Sequence, residues 1–520
     1  MAKIYPIGVQ NFAKLREDGY TYVDKTDYIE KLVKGGNCYF LSRPRRFGKS
    51  LLLSTIEAFY QGRKDLFQGL AISRMKHDWE PHPVLHIAMN TNKCQSTDDL
   101  NAAIESFLNY QELLYGRNEQ SDSVALRFGA LIRSAYNKTG KRVVILIDEY
   151  DKPLLDTAGK KEVQDDIRAI LKGFYSNLKN SDQYIEFAML TGVSRFGKLS
   201  IFSDLNNLND ISLSDKYSAI CGMTVDEIRD NFSEGVQNLA DKNGISVPET
   251  YALLKENYDG YHFSPVSPDI YNPFSLLKAL DDQSIGSYWF STGTPTFLVD
   301  MIRRMEIDLR DLEHLNISIN DLMDASFDLS NTVPIMYQSG YLTIRSYNPR
   351  FRMAQLDYPN HEVEHGFLDI LMKMFTANAN GRTEFDVSKF VLDVEGGRVE
   401  DFMTRLRALF SGYHYDQMDL GNLELHYRNV IYLTMKLMGF YTEAEMRTAA
   451  GRIDLLVKTP LYLYLFEFKI NGSAEAAMAQ INDRDYLLPF RADGRTIIKV
   501  GANFDDSIRS ISAWLIESEH

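Results

Sequence analysis

A segment near the N-terminus reads Cys38-Tyr-Phe-Leu-Ser-Arg-Pro-Arg-Arg-Phe-Gly-Lys-Ser50. Its apolar start, which ends at Leu41, predicts a β-strand, and the pattern of residues 51–60 predicts a helix. Backbone N–H groups at a helix N-terminus attract anions, and in such a loop Lys49 can reach the β- and γ-phosphates while Ser50 binds Mg²⁺. The segment therefore predicts a phosphate-binding loop. An ordinary helix start with a capping serine is the alternative.

The loop departs from the general phosphate-binding motif at its first position. The motif has glycine there, whereas this chain has Arg43, so the first turn must form without the most permissive residue. The loop residues that we assign to nucleotide contact are Arg43, Arg45, Arg46, Phe47, Gly48, Lys49, Ser50 and Leu51.

A second apolar run ends in two carboxylates. Residues 143–147 are all apolar, which is typical of a strand buried on both faces of a parallel sheet, and Asp148 and Glu149 follow directly. Ligands of open α/β sheets bind at the C-terminal ends of such strands. In nucleotide hydrolysis Asp148 would hold Mg²⁺ through water, and Glu149 would orient or deprotonate the attacking water. An acidic helix N-terminus after a buried strand is the alternative.

A third predicted strand, residues 185–190, precedes Thr191 and Arg195. We expect Thr191 to lie between the two other strand ends, where it could sense the γ-phosphate. Arg195 could contact phosphate, or it could be a surface arginine.

Three segments follow one another along the chain: a strand and loop with Gly-Lys-Ser, a strand followed by Asp-Glu, and a strand followed by Thr. This order resembles the additional-strand, catalytic-Glu class of P-loop ATPases. The chain is more closely similar to the bacterial AAA-ATPase-like family. The segments that carry this resemblance are Tyr22-Val-Asp-Lys-Thr26, Arg43-Pro-Arg-Arg-Phe-Gly-Lys-Ser50, Asp148-Glu-Tyr-Asp-Lys-Pro153 and Thr191-Gly-Val-Ser-Arg195. The resemblance implies ATP with Mg²⁺. It also implies that the loop with Arg43 is usual, and that the ATPase is commonly fused to a C-terminal PD-(D/E)XK nuclease-like domain.

The C-terminal region carries a second group of charged residues. The turn at residues 458–460 predicts a hairpin, and a hairpin symmetric about residues 460 and 461 places Asp454 opposite Glu467, with Lys469 on the same face. The two carboxylates are hard ligands for Mg²⁺ or Mn²⁺, and Lys469 could position the nucleophile or stabilise charge in phosphodiester hydrolysis. A solvated hairpin with a Glu–Lys pair is the alternative.

These residues resemble the core motif of the PD-(D/E)XK phosphodiesterase superfamily. Gln480, on a predicted helix that follows, matches the helix glutamine of RecB-like members, although Tyr486 follows it at six positions where that pattern has four. Glu424, on an upstream helix, is an additional candidate metal ligand, and Glu445 is another.

The composition sets bounds on the partners of this 520-residue chain. Its net charge of −14 repels nucleic acid at long range, so we expect DNA binding to be weak or conditional. Its three cysteines are far apart in sequence, which suits a reducing cytoplasm. No apolar run is long enough to span a membrane, and the first residues do not resemble a signal peptide. A homo-oligomer is left open.

We therefore predict an α/β protein. It has a P-loop ATPase core of the additional-strand, catalytic-Glu type in residues 1–215 and a helical lid in 216–345. A helical connector follows in 346–410, and a restriction-endonuclease-like α/β domain in 411–520. Within the lid, residues 330–347 predict a β element, and His262 is interpreted as structural. The predicted function is ATP binding and hydrolysis with a metal-dependent DNA nuclease. The alternative is a nucleotide-dependent switch or scaffold whose inactive nuclease fold binds a partner or nucleic acid.

Overall fold

The computed structural model of the 520-residue chain divides into two compact units, residues 1–301 with 314–363 and residues 302–313 with 364–520. The residues that the structure describes are 4–90, 93–117, 123–195, 207–290, 308–312, 315–322, 332–376, 385–411, 423–439, 443–449, 452–483 and 494–519.

In the first unit, one to three helices separate most successive strands along the chain. The helices are α1 (Phe12–Glu17), α2 (Thr26–Gly35), α3 (Lys49–Tyr60), α4 (Thr97–Tyr115), α5 (Val124–Thr139), α6 (Lys152–Asp156), α7 (Lys161–Tyr175), α8 (Asn177–Asn180), α9 (Val225–Asn243), α10 (Val247–Tyr258), α11 (Pro273–Asp282), α12 (Ile319–Leu322), α13 (Val333–Ser339) and α14 (His361–Thr376), which continues into the second unit. The strands are β1 (Cys38–Ser42), β2 (Val84–Ala88), β3 (Val143–Asp148), β4 (Ile185–Gly192), β5 (Asn209–Asp210), β6 (Leu315–Ser318), β7 (Thr343–Asn348) and β8 (Met353–Asp357).

The central sheet of this unit is parallel and has the strand order β2-β3-β4-β1-β5. All residues of β1 and β3 are buried, as expected for strands covered by helices on both faces. Strand β4 lies between β1 and β3, so the loop after β1 and the carboxylates after β3 flank its C-terminal end. The prediction of an additional-strand P-loop core is confirmed.

Three helices that follow the strands of the central sheet in sequence pack together. Helices α9, α10 and α11 share a buried apolar core to which Val23 and Met223 also belong. Capping boxes start α9 at Thr224 and α10 at Ser246, and an Asn272 side-chain cap with a proline in the first turn starts α11.

The prediction of a β element in residues 330–347 is only partly correct. Residues 333–339 form helix α13, with Pro334 in its first turn, where a missing N–H leaves no helical hydrogen bond unmade. The strand begins only at Thr343, and β7 pairs with β8 in an antiparallel sheet of order β6-β8-β7.

The second unit is a mixed sheet with helices. Its helices, besides the remainder of α14, are α15 (Val387–Glu395), α16 (Val399–Ser411), α17 (Leu423–Met438) and α18 (Ala474–Asp483). Its strands are β9 (Glu443–Ala449), β10 (Arg452–Lys458), β11 (Tyr462–Ile470), β12 (Thr496–Asp505) and β13 (Ser510–Glu519). The order is β13-β12-β11-β10-β9, with β11 and β12 parallel and the other pairs antiparallel. This confirms the predicted second α/β domain.

Helix α18 lies directly on strand β12. A Cβ atom at Gly501 would be 2.6 Å from the backbone nitrogen of Met478 and 2.7 Å from the carbonyl oxygen of Ala474. Because both neighbours are backbone atoms, glycine at this position sets how closely the helix approaches the sheet.

Among the described residues, no helix combines the length and the apolar composition that crossing a membrane requires. The finer domain boundaries at residues 215, 345 and 410 stay predictions.

Candidate nucleotide and nuclease sites

The loop between β1 and α3 turns through two residues with left-handed backbone angles. Arg46 has φ of 69° and Gly48 has φ of 94°. Glycine adopts this conformation freely, whereas a residue with a side chain does so only when its surroundings hold it there. The guanidinium of Arg46 lies over the ring of Phe274, 4.8 Å from its centroid, which provides such a contact.

The Lys49 ammonium lies inside the curl of the loop. Its Nζ donates hydrogen bonds to the carbonyl oxygens of Arg43 and Pro44, both at 2.9 Å, and the residue is only 6% exposed. Burial lowers the pKa of Lys49, and the carboxylates of Asp148 and Glu149 oppose this effect. The loop therefore holds a buried cation beside the acidic end of β3.

Arg43 occupies the motif position of the absent glycine, and its side chain is turned into the protein. Its guanidinium donates to the carbonyl oxygens of Ser42 and Ser212 at 2.8 Å and of Tyr217 at 3.1 Å, and it lies 4.3 Å from the ring centroid of Phe263. These bonds connect the first turn of the loop to segments far along the chain. Arg43 thus supports the loop from behind.

We expect Arg43→Met to lower the free energy of unfolding by about 3 kcal/mol, because buried carbonyl acceptors lose their donor. Chemical denaturation measures the change. Arg63→Met is the control, since the Arg63 guanidinium pairs with Glu17 and Asp65 at the surface, where ion pairs contribute little to stability. Equal losses in the two variants would contradict the structural role of Arg43.

The polar residues at the ends of β3 and β4 are in direct contact. The Thr191 hydroxyl donates to the Asp148 carboxylate at 2.7 Å, and both residues are buried. Glu149 follows with φ of 52°, an uncommon conformation for a residue with a side chain. Burial raises the pKa of Glu149, and the negative charges of Asp148 and Asp151 raise it further. The positive charge of Lys49 lowers the same pKa.

Asp151 has a role that the sequence analysis missed. Its carboxylate accepts hydrogen bonds from the backbone N–H groups of Val193 and Ser194, at 3.1 and 2.7 Å, and from the Ser194 hydroxyl at 2.6 Å. A Cβ atom at Gly192 would lie 2.6 Å from the Asp151 Oδ1 atom. The Thr-Gly-Val-Ser segment thus binds the Asp151 carboxylate, and the absence of a side chain at Gly192 provides the space for it.

Arg195 is paired within the protein. Its Nε lies 2.6 Å from Asp210 Oδ2, and its backbone N–H donates to the Gln338 side chain at 2.7 Å. Phosphate contact and a surface position were the two interpretations of this residue from sequence. In the structure the side chain is largely buried in an ion pair.

A cavity of about 450 Å³ opens in front of the loop. Of the residues assigned to nucleotide contact or hydrolysis, those that line it are Arg45, Arg46, Phe47, Gly48, Lys49, Ser50, Leu51 and Glu149. Those that do not line it are Arg43, Asp148, Thr191 and Arg195. The volume is within the range of about 300–1,000 Å³ typical of small-molecule sites. Lys25 and Lys152, which were not predicted as site residues, also line it.

The back of the loop is packed with aromatic rings. Phe47 is buried, with its ring centroid 4.8 Å from that of Tyr261 and 5.3 Å from that of Phe263. The Trp289 indole N–H donates to the Arg45 carbonyl oxygen at 3.3 Å. The middle segment of the first unit therefore holds the loop in place.

In the second unit the predicted hairpin register is confirmed. Asp454 on β10 is the direct partner of Glu467 on β11. Glu467 is buried, and the Lys469 Nζ lies 3.1 Å from its Oε1 atom and also donates to the Gln480 side chain on α18. The structure thus brings Glu467, Lys469 and Gln480 together.

Several candidates are described less fully. The structure gives the backbone of Asp454, Glu424 and Glu445 but not their side chains, and Tyr486 lies outside the described residues. Where side chains are described, no cluster of three His, Cys, Asp or Glu residues could hold a metal ion.

Asn503 is a neighbour of this group that the sequence analysis missed. It is the β12 partner of Lys469, and its side chain accepts from the Gly472 N–H at 2.8 Å and donates to the Ser512 hydroxyl at 3.0 Å. Its sequence signal is a polar side chain between the apolar residues Ala502 and Phe504.

The first unit defines a P-loop nucleotide-binding core, and the second has the strands and charged residues of a nuclease-like domain. Comparison with known families agrees. Residues 6–202 match the family described as "Predicted AAA-ATPase", and residues 422–514 match the PD-(D/E)XK nuclease superfamily. The chain is 36% identical, over 533 aligned residues, to an uncharacterized protein in the vnfD 5'region of Azotobacter chroococcum mcd 1, and the alignment covers 99% of both chains. The chain belongs to the AAA-ATPase-like family with a C-terminal PD-(D/E)XK nuclease-superfamily domain.

Proposed function

We propose that the protein binds and hydrolyses ATP and carries a metal-dependent phosphodiesterase that cleaves DNA. The observation that carries the nuclease proposal is the hairpin register, which pairs Asp454 with Glu467 beside Lys469 and Gln480. Two carboxylates opposite each other in neighbouring strands are unfavourable unless cations offset their charge, and one ammonium offsets only one of them, which supports a metal ligand set. The buried Lys49, in a cavity with Ser50 and Glu149, supports the ATP site in the same way.

At the ATP site each residue has a distinct task. The Lys49 ammonium leaves its loop carbonyls to contact the β- and γ-phosphates, and Arg45 and Arg46 add positive charge to the cavity. The Ser50 hydroxyl and the Asp148 carboxylate are hard oxygen donors that suit Mg²⁺, which neutralises phosphate charge when bound. Glu149 accepts the proton of the attacking water. Thr191 fixes the orientation of Asp148 through its hydrogen bond.

At the nuclease site Asp454 and Glu467 would hold Mg²⁺ or Mn²⁺, with Glu424 a further candidate. Their oxygen donors suit these hard cations, which lower the pKa of a bound water and neutralise developing charge when present. Lys469 stabilises negative charge on the scissile phosphate. Gln480 positions the Lys469 ammonium through their hydrogen bond. The expected DNA contact is local because the chain carries a net charge of −14.

We expect the turnover number for ATP to fall on acidification at a higher pH than an ordinary glutamate would give. Glu149 acts as a base only when ionised, and burial raises its pKa above the ordinary 4.5, so the active form is lost sooner as the pH falls. A pH profile of turnover at saturating ATP measures this. The acidic limb should be absent from the residual activity of Glu149→Gln, and an unchanged limb would contradict the assignment.

The overall test uses plasmid and single-stranded DNA with Mg²⁺ or Mn²⁺, in the presence and absence of ATP. Metal-dependent cleavage together with ATP hydrolysis is the expected result. A change in cleavage when ATP is added would show that the two activities are coupled. Absence of cleavage with every metal and substrate, while ATP still binds, would contradict the nuclease.

One observation favours the alternative, a nucleotide-dependent switch with an inactive nuclease fold. Glu467 is almost fully buried, and the Lys469 Nζ is engaged by both Glu467 and Gln480. A site closed in this way suits a structural ion pair as well as a resting enzyme. ATP-dependent assembly without DNA cleavage is the result that would support the switch.

A further inference from the structure

A second ammonium, outside the loop, lines the cavity in front of it. Lys25 is the residue before α2, and only 10% of its side chain is exposed. Its Nζ donates hydrogen bonds to the carbonyl oxygen of Ala219 at 2.8 Å and to the two carboxylate oxygens of Glu227 at 2.6 and 2.8 Å. A cation of the cavity is therefore neutralised by an acidic residue of helix α9.

Lys25 and Lys49 act on the same part of the cavity. Cys221 lines this part, and burial raises the pKa of its thiol. Nearby cations lower that pKa, and Lys49 and Lys25 are both among them. A polyanion bound at Lys49 therefore also lies within the electrostatic influence of Lys25.

We infer that Lys25 is a second phosphate-binding residue of this site, and that Glu227 competes with bound phosphates for its ammonium. The inference rests on the proposed ATP binding and adds to it a residue outside the loop and a connection to helix α9. A triphosphate carries more negative charge than one carboxylate, and its oxygens accept charge-assisted hydrogen bonds, so it can draw Lys25 away from Glu227.

Glu227 can release Lys25 and keep its other role. Its Oε2 atom accepts from the Thr224 N–H at 2.8 Å, and the Thr224 hydroxyl accepts from the Glu227 N–H at 3.3 Å, so the two residues form the capping box of α9. The Glu227 side chain is 24% exposed, so water can solvate its carboxylate when the ammonium leaves. Helix α9 therefore keeps its N-terminal cap in both states, and only its ion pair with Lys25 changes.

The segment that carries Lys25 also contacts the three helices that follow the sheet. Val23 lines the cavity and belongs to the apolar core of α9, α10 and α11. Because coupling between two binding equilibria is reciprocal, phosphates that weaken the Lys25–Glu227 pair are themselves bound more tightly when that pair is weakened by mutation. Glu227 is therefore a positioning residue that acts on the nucleotide through Lys25.

The test compares dissociation constants, measured by calorimetry with Mg²⁺, for the β,γ-imido analogue of ATP and for inorganic tripolyphosphate. Glu227→Gln should bind both ligands at least about threefold more tightly than the wild type, because a neutral amide holds the ammonium less strongly. Glutamine also serves as the last residue of a capping box, so α9 keeps its cap.

Lys25→Met combined with Glu227→Gln separates phosphate contact from an effect of charge. The double substitution removes one positive and one negative charge, so the net charge of the site is unchanged. The double variant should bind both ligands about tenfold more weakly than the wild type, because a charge-assisted contact is lost. An ion pair that is only structural would leave both constants unchanged.

Glu249→Gln is the matched control. Glu249 is the corresponding capping-box residue of α10, lies at the surface and accepts from the Ser246 N–H at 2.8 Å. This variant should bind both ligands like the wild type, and urea unfolding of each ligand-free variant checks its folded state.

Wild-type affinity in the double variant would overturn the inference and leave the proposed ATP site standing. So would a folded Glu227→Gln protein that binds no more tightly than the wild type. Should the double variant be unfolded, Glu227→Gln alone decides, because its capping box is intact. If neither ligand binds the wild type, the proposed function fails and the inference fails with it.

Discussion

Glu467→Gln is expected to abolish metal-dependent DNA cleavage by the full chain, with a loss of at least about 100-fold. The amide keeps the size of the side chain but removes the negative charge that would bind the cation. Glu467 is buried beside Lys469, so the neutral variant also leaves the ammonium without its ionic partner. Cleavage of labelled DNA at saturating Mn²⁺ measures the effect.

The folded state should survive this substitution. The Lys469 ammonium loses its ionic partner, but its side chain is 20% exposed and it still donates to the Gln480 side chain, so it is not left as an uncompensated buried charge. Glu475→Gln makes the same change at an exposed position on α18 and should cleave like the wild type. A Glu467→Gln variant with full activity would exclude the proposed metal site. Loss of activity in both variants would point to a general effect of charge.

Lys49→Met is expected to weaken ATP binding by about 100-fold or more and to stop hydrolysis. The ammonium is the buried cation of the loop, and Asp148, Glu149 and Asp151 lie close enough to affect its pKa. Without it these carboxylates repel the phosphates, and a charge-assisted contact is lost as well. Calorimetric titration with ATP and Mg²⁺ measures the change.

Lys64→Met, at an exposed site outside the cavity, is the control and should bind ATP normally. Thermal unfolding distinguishes loss of binding from loss of folding, because Lys49 also donates to two loop carbonyls. Unaltered ATP affinity in a folded Lys49→Met protein would exclude the loop as the phosphate site.

The buried strands of the first unit and the hairpin of the second could be predicted from local sequence patterns. The apolar runs before Asp148 and Thr191 identified buried strands, and the C-terminal hairpin register followed from its turn, because strand pairing is fixed once the turn is known. The prediction of a β element was wrong at residues 333–339. Their apolar and β-branched residues suggested a strand, whereas Pro334 starts a helix.

The long-range contacts could not be predicted in this way. The acceptors of the Arg43 guanidinium are backbone carbonyls of Ser212 and Tyr217, and a carbonyl oxygen has no residue-specific signature. The packing of Tyr5 against Gly235 likewise joins distant parts of the chain. Gly501 did carry a signal, since an isolated glycine in a strand pattern often marks a close backbone approach.

The parallel pairing of β1 with β4 has a consequence for the order of events during synthesis. Cys38 is the register partner of Ala188, so the edge of β1 that pairs with β4 has no partner strand until synthesis has continued far beyond the phosphate-binding loop. Loop closure over such a distance is slow, and an unpaired apolar strand is prone to aggregate while it waits. The proposed binding of ATP at the loop therefore becomes possible only late in synthesis. A nascent chain that stops before residue 192 should neither bind ATP nor resist proteolysis.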